Sequence, residues 1–123
     1  MSKKALEDSL ALQFDAMKIK YRREVRLFAE FVGIGKGLRE RLNNACLKDY
    51  RFDFEICELN LLVEVQGGVW LPKGGHNTGT GINRDCEKAL MAFKHGYTVL
   101  PVTKELIKSG KVVDAIDSVI KFS

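Results

Sequence analysis

"NLLVEVQGGVW", residues 60–70, begins as a buried β-strand, with Leu61, Leu62, Val63 and Val65 almost in succession. Glu64 interrupts the run, Gln66 follows two places later, and Gly67 and Gly68 end it. Side chains alternate between the faces of a strand, so Glu64 and Gln66 project from the same one. A carboxylate and an amide aligned within an apolar strand indicate a sheet face with a purpose beyond packing.

Just upstream, "DYRFDFEICEL" (49–59) alternates Tyr50, Phe52, Phe54 and Ile56 with Arg51, Asp53 and Glu55. That pattern predicts a strand with one dry and one wet face, Asp53 lying on the wet one. The turn Glu58-Leu59-Asn60 is short enough to join the two strands as an antiparallel hairpin. Asp53 and Glu64 then meet on neighbouring strands. Carboxylates about 5 Å apart repel by roughly 3 kcal/mol at an effective dielectric near 20, so a positive group is expected between them. Arg51, on the same face as Asp53, is one candidate. A divalent cation is a better one, and oxygen ligands of this kind suit Mg²⁺ or Mn²⁺.

The rest of the chain frames this hairpin. Leu6, Leu10, Phe14 and Met17 recur at helical spacing, predicting a helix over 3–18. "EVRLFAEF" (24–31) reads as a strand ending at the turn "GIGKG", and "LRERLNNAC" (38–46) as a short helix. "LPKGGHNTGTG" (71–81), with four glycines and no periodicity, reads as a loop. Ile82, Cys86, Ala89, Leu90 and Phe93 mark a helix over 82–95 with those residues as its apolar stripe; Arg84 and Lys88 fall opposite. "YTVLPVT" (97–103) reads as a buried strand, with Thr103 capping a short helix after it. Val112, Val113, Ile116, Val119 and Ile120 close the chain with another amphipathic helix. The expected architecture is α/β, a mixed central β-sheet flanked by α-helices.

At 123 residues the chain is one domain, 1–123. Its apolar share of 46% and charged share of 29% are those of a globular protein. No apolar run reaches the length of a membrane span, and acidic residues break the N-terminal segment before it could serve as a signal peptide. Cys46, Cys57 and Cys86 show neither CxxC spacing nor an even count, which argues against a zinc site or a disulfide framework. A cytoplasmic location follows as the expectation. Charge is unevenly spread: residues 1–52 hold 12 basic and 7 acidic residues, +5, whereas 53–123 hold 8 and 9, −1. A polyanion suits such an asymmetry, and an ordinary solvated basic surface is the alternative.

Taken together, Asp53, Glu64 and Gln66 on a hairpin, followed by a helix and a further strand, resemble the PD-(D/E)XK nuclease superfamily. Within it, "RFDFEI…LLVEVQGGVW…GGHNTGTG…RDCEKALMAFKHGYTVLPVT" is similar to small phage and prophage endonucleases related to the very-short-patch-repair and Holliday-junction-resolvase group. The resemblance implies a restriction-endonuclease-like core, a bacterial host cytoplasm, and hydrolysis of DNA phosphodiester bonds. It also implies that Asp53, Glu64 and the carbonyl of Val65 hold Mg²⁺ or Mn²⁺, and that Glu7, on the preceding helix, assists through water or a second site. The sequence departs from the family in two places. Gln66 stands where Lys is usual, and Phe52 replaces the proline before the first Asp. Gln cannot supply a positive charge, but it can orient a water molecule.

His76 is a candidate acid for the leaving group or a phosphate contact, with an exposed loop histidine as the alternative. Arg22, Arg23, Lys36, Arg39, Arg41, Arg51, Lys73, Arg84 and Lys88 are candidate DNA contacts; for Arg84 and Lys88 a solvated helix face is the default. Lys88 is also a candidate to replace the missing lysine, although its position opposite the apolar stripe argues against it. "GIGKGLRE" lacks P-loop spacing and is rejected as a nucleotide loop. Three readings therefore compete: an endonuclease, a nuclease-fold DNA-binding protein without activity, and an interaction protein with an incidental acidic face. The first accounts best for carboxylates in a basic chain. A homodimer is the expected assembly for cutting both strands.

Overall fold

The structure is a computed structural model that describes residues 1–66 and 79–122. Helix α1 (Lys3–Ala16) is capped by Ser2, whose hydroxyl accepts from the Ala5 amide at 3.1 Å. Strand β1 (Arg22–Val25) follows, then helices α2 (Leu27–Val32) and α3 (Leu38–Asn44). The hairpin comprises β2 (Phe52–Ile56) and β3 (Leu61–Val65). It turns through a single 3₁₀ turn, Cys57–Leu59, with Asn60 in the left-handed region at φ 49°. Helix α4 (Gly79–Lys94) leads to β4 (Thr98–Val102), α5 (Lys104–Lys108) and α6 (Lys111–Phe122). Thr103 caps α5 as its position predicts, accepting from the Leu106 amide.

The sheet runs β1-β2-β3-β4 in space. The first two pairings are antiparallel, and β3 pairs in parallel with β4 through the α4 crossover. Two apolar layers flank it. Phe54, Ile56, Val63 and Val65 pack with α1, α5 and α6 through Leu10, Phe14, Ile107 and Ile116. Phe52, Leu62 and Val25 pack with α2, α3 and α4 through Phe28, Leu42 and Ala92. This is the mixed sheet flanked by helices that the sequence predicts.

Four local expectations are corrected. "EVRLFAEF" is only briefly a strand: from Leu27 it is helix α2. A short apolar run fits either element, and here it turns to place Phe28 edge-on against Phe52, with ring centroids 6.1 Å apart. Strand β2 has no wet face, because all five of its residues are buried, Asp53 and Glu55 among them. The helices α2–α4 cover the face expected to meet water. Strand β4 is an edge strand with only Val102 buried, a position that tolerates Pro101.

The fourth correction concerns α4. Ile82, Leu90 and Phe93 are 53%, 60% and 71% exposed, and Cys86 is also exposed. Ala92 is buried, and Lys88, Ala89 and Met91 are half-buried on the sheet side. Small side chains let the helix lie close over Phe52, Leu62 and Val99. Lys88 is carried inward with them.

Candidate active site

The β2–β3 ladder ends with Phe54 opposite Val63, so Asp53 and Glu64 would form the next pair. On the other edge of β2, β1 pairs Arg23 with Phe54 and Val25 with Phe52, omitting Glu24, whose φ is +50°. Asp53 thus sits at a gap on both sides. Side chains fill the gap on the β3 side. The Asp53 amide donates to Glu64 Oε2 at 3.0 Å, and the Val65 amide donates to Asp53 Oδ2 at 2.8 Å. These two bonds replace a missing rung and fix both carboxylates against the backbone of the opposite strand.

The hairpin therefore joins the two acidic residues as their spacing predicts. Asp53 is 6% exposed, and the Glu64 side chain 15%. What stands between them and solvent differs from the expectation. Arg51 does not lie between the carboxylates; it pairs with Glu24, its Nη1 3.7 Å from Oε1. Two lysines take that role. Lys3 Nζ is 3.3 Å from Asp53 Oδ1 and 3.8 Å from Glu7 Oε2. Lys88 Nζ donates to Glu64 Oε1 and lies 4.6 Å from the centre of the Phe52 ring.

Burial pushes the Glu64 carboxyl above the ordinary 4.5, and the charge of Asp53 pushes the same way; Lys88 opposes both. Glu7 is raised for the same reasons, burial first and then Asp53, while Lys3 and Arg23 act against the shift. Three carboxyl groups thus share one neighbourhood. Among the described residues, however, no group of three or more His, Cys, Asp or Glu is set to hold a metal ion. The immediate donor set is Asp53 and Glu64.

A cleft of about 470 Å³ opens over this pair, lined in part by Lys3, Arg26, Arg51, Arg84 and Lys88. A second hollow, about 240 Å³, lies against Glu64 and Lys88 and includes Gln66 and Asp85. Gln66 shares this hollow with Glu64, as the two-residue spacing requires, and its amide continues the ladder to Val102 O at 2.8 Å. Val65 is buried next to them.

The basic candidates divide. Arg51, Arg84 and Lys88 line the cleft. Arg22 does not serve as a free contact: it binds Glu55 Oε1 at 3.0 and 2.5 Å and Glu30 at 3.2 and 2.8 Å. Arg41 is likewise engaged, donating to the carbonyls of Val32 at 3.0 Å, Lys36 at 2.7 Å and Gly33. The cause is the turn after α2, where Gly33, Gly35 and Gly37 all adopt positive φ and the carbonyls need donors. A Cβ on Gly37 would stand 2.9 Å from Arg41 Nη1.

Arg23 binds Asp8 at 2.9 Å and approaches Glu7 at 3.7 Å, so it braces α1 beside the site. Lys36 and Arg39 are exposed and form no ion pair among the described residues, but they do not line the cleft. Lys73 and His76 lie outside the described residues. The sequence reading overlooked Lys3 and Arg26. Lys3 stands one helical turn before Glu7, and Arg26 closes the basic run 18–26; those were the available signals.

No protein-family model matches the chain. No curated protein matches it in sequence. Among solved structures it is similar to the "Homing Endonuclease I-Bth0305I Catalytic Domain", at 19% identity over 94% of this chain and 89% of that one, with a TM-score of 0.51. The likeness is one of fold: the mixed sheet and flanking helices of this chain superpose on a nuclease catalytic domain.

Proposed function

We propose that this chain is a metal-dependent DNA endonuclease of the PD-(D/E)XK type, acting in phage or prophage DNA processing in a bacterial cytoplasm. The observation that carries the reading is the end of the β2–β3 ladder, where Glu64 accepts from the Asp53 amide and Asp53 from the Val65 amide, so that both carboxylates are fixed side by side. A fold gains no stability from two buried like charges, whereas a hydrolytic site needs them. The nuclease-domain fold supports the same conclusion.

The donor set fits Mg²⁺ or Mn²⁺, since such ions are commonly held by one or two carboxylates together with water and substrate phosphate. Asp53, Glu64 and the Val65 carbonyl would supply the protein ligands. The chemistry supplied by the ion is polarisation of a phosphate oxygen and a lower pKa for the attacking water. Gln66, on the face of Glu64, orients that water with an amide that both accepts and donates. Glu7 acts from α1 through Lys3 or through solvent. Arg51, Arg84 and Arg26 line the cleft and would meet the backbone of DNA, with Lys73 and His76, outside the described residues, as further candidate contacts. No helix among the described residues is long and apolar enough to cross a membrane.

The test is cleavage of supercoiled plasmid and a branched oligonucleotide with Mg²⁺, Mn²⁺ or EDTA, using the natural protein and Glu64→Ala in parallel. Metal-dependent cutting lost in the variant supports the reading. Binding of DNA by both proteins with cutting by neither would make the chain a nuclease-fold binding module. Light scattering at working concentration tests the homodimer.

A further inference from the structure

Asp53 and Glu64 each have an ammonium partner of their own, and the two partners come from opposite sides of the sheet. Lys3 approaches Asp53 from the start of α1; its side chain is 47% exposed. Lys88 reaches Glu64 from α4 with 17% of its side chain exposed, its Nζ over the Phe52 ring. Both lysines line the cleft beside those carboxylates. They occupy the region in which a cation bridging Asp53 and Glu64 would have to sit.

We propose that Lys3 and Lys88 are place-holders for the metal: they neutralise the carboxylates in its absence and turn to DNA phosphate when it enters. The inference rests on the nuclease reading above and adds a coupling to it. A divalent ion between the carboxylates repels both ammonium groups, and a lysine stem is flexible enough to swing its charge away. A phosphate in the cleft is the nearest alternative anion. Lys88 cannot retreat to solvent as readily as Lys3, because α4 holds it inward. Its positive charge therefore stays in the cleft, on the side where β3 carries Gln66 in place of a cation. Metal and DNA consequently strengthen each other's binding through Lys88, by equal factors, as linkage requires.

The experiment measures Mn²⁺ binding by calorimetry on the full chain without DNA, for the natural protein, Lys88→Met, Lys88→Arg, Lys3→Met and Glu64→Gln. Thermal melts of each variant verify folding. Anisotropy of a labelled duplex, with and without Ca²⁺, measures the coupling. Lys88→Met should bind Mn²⁺ about tenfold more tightly than the natural protein, a difference that electrostatics at this range readily supplies. Lys3→Met should gain less, because Lys3 is itself the more exposed lysine and its charge is better screened. Lys88→Arg keeps the charge and should stay close to the natural protein. The tightening of duplex binding by Ca²⁺ should shrink in Lys88→Met.

Unchanged or weaker Mn²⁺ binding in Lys88→Met overturns the place-holder role. The nuclease reading survives that result if Glu64→Gln loses the metal. If the natural protein and Glu64→Gln bind Mn²⁺ alike, or neither binds it, both inferences fall.

Discussion

Strand β2 buries two carboxylates, two residues apart, and they are handled in opposite ways. Glu55, 5% exposed, is closed off by Arg22, which grips it through two nitrogens and binds Glu30 with the same guanidinium. Asp53, 6% exposed, faces a second carboxylate, one lysine that is half in solvent, and a cleft. Glu55 lies where the ladder is intact, opposite Arg22 and Leu62; Asp53 lies where it is broken on both sides. Burial alone does not separate a structural acid from a chemical one. Saturation does: a carboxylate closed off by a buttressed arginine has no capacity left for a ligand, whereas one that faces a second carboxylate and a cleft, and is paired only with a flexible lysine, keeps that capacity.

The largest expected effect separates the two at once. Asp53→Asn and Glu64→Gln should each lower the initial rate of plasmid nicking by about a thousandfold or more, the scale expected when a group stabilising the transition state is removed. Glu55→Gln, measured below its unfolding temperature, should cut at close to the natural rate. Equal loss in all three variants would erase the distinction.

Stability should show the reverse order. Glu55→Ala leaves Arg22 with one partner and should lower unfolding free energy by about 2 kcal/mol, less than a fully buried pair because Arg22 is 47% exposed. Asp53→Asn relieves the repulsion with Glu64 and keeps an acceptor for the Val65 amide, so its change in urea should stay within about 1 kcal/mol. A large destabilisation by Asp53→Asn would place Asp53 with the structural acids.

How much of this was legible in the sequence depends on the range of the interaction. The hairpin and the meeting of Asp53 with Glu64 follow from a period of two and a three-residue turn, both local. The inward position of Lys88 does not. On α4 the bulky residues Ile82, Leu90 and Phe93 form a more conspicuous stripe than Ala89 and Ala92, yet proximity to the sheet selected the small side chains. The same holds for the arginines. Arg22 and Arg41 stand in basic runs like any surface residue, and only tertiary contacts with Glu55 and with the carbonyls after α2 engage them. "RLFAEF" failed for a third reason: six residues are too few for periodicity to tell strand from helix.

Smaller effects sharpen the comparison at the cleft rim. Arg84→Ala and Arg51→Ala should each weaken duplex binding several-fold and reduce the slope of log affinity against log salt by about one; Arg41→Ala should leave that slope unchanged. Fluorescence anisotropy across a salt series measures both.

The smallest effect is a dependence on pH. Glu64 and Glu7 titrate above the ordinary 4.5 in the folded chain, so the folded state holds their protons more tightly than the unfolded one. Their contribution to stability is present below 4.5 and lost as pH rises through the raised values. Protons and metal compete for Glu64, so Mn²⁺ uptake should weaken as pH drops, and at a higher pH than it would for an unshifted carboxylate at the same Mn²⁺ concentration. Calorimetric titrations over a pH series measure the second effect, and thermal melts in EDTA the first.

The most direct test of the acidic site is a crystal structure of the protein soaked in Mn²⁺, read by anomalous scattering. The account predicts a peak about 2.1 Å from an oxygen of Asp53 and from one of Glu64, with Lys88 turned away from Glu64. A peak elsewhere, or none while Lys88 still holds Glu64, would contradict it.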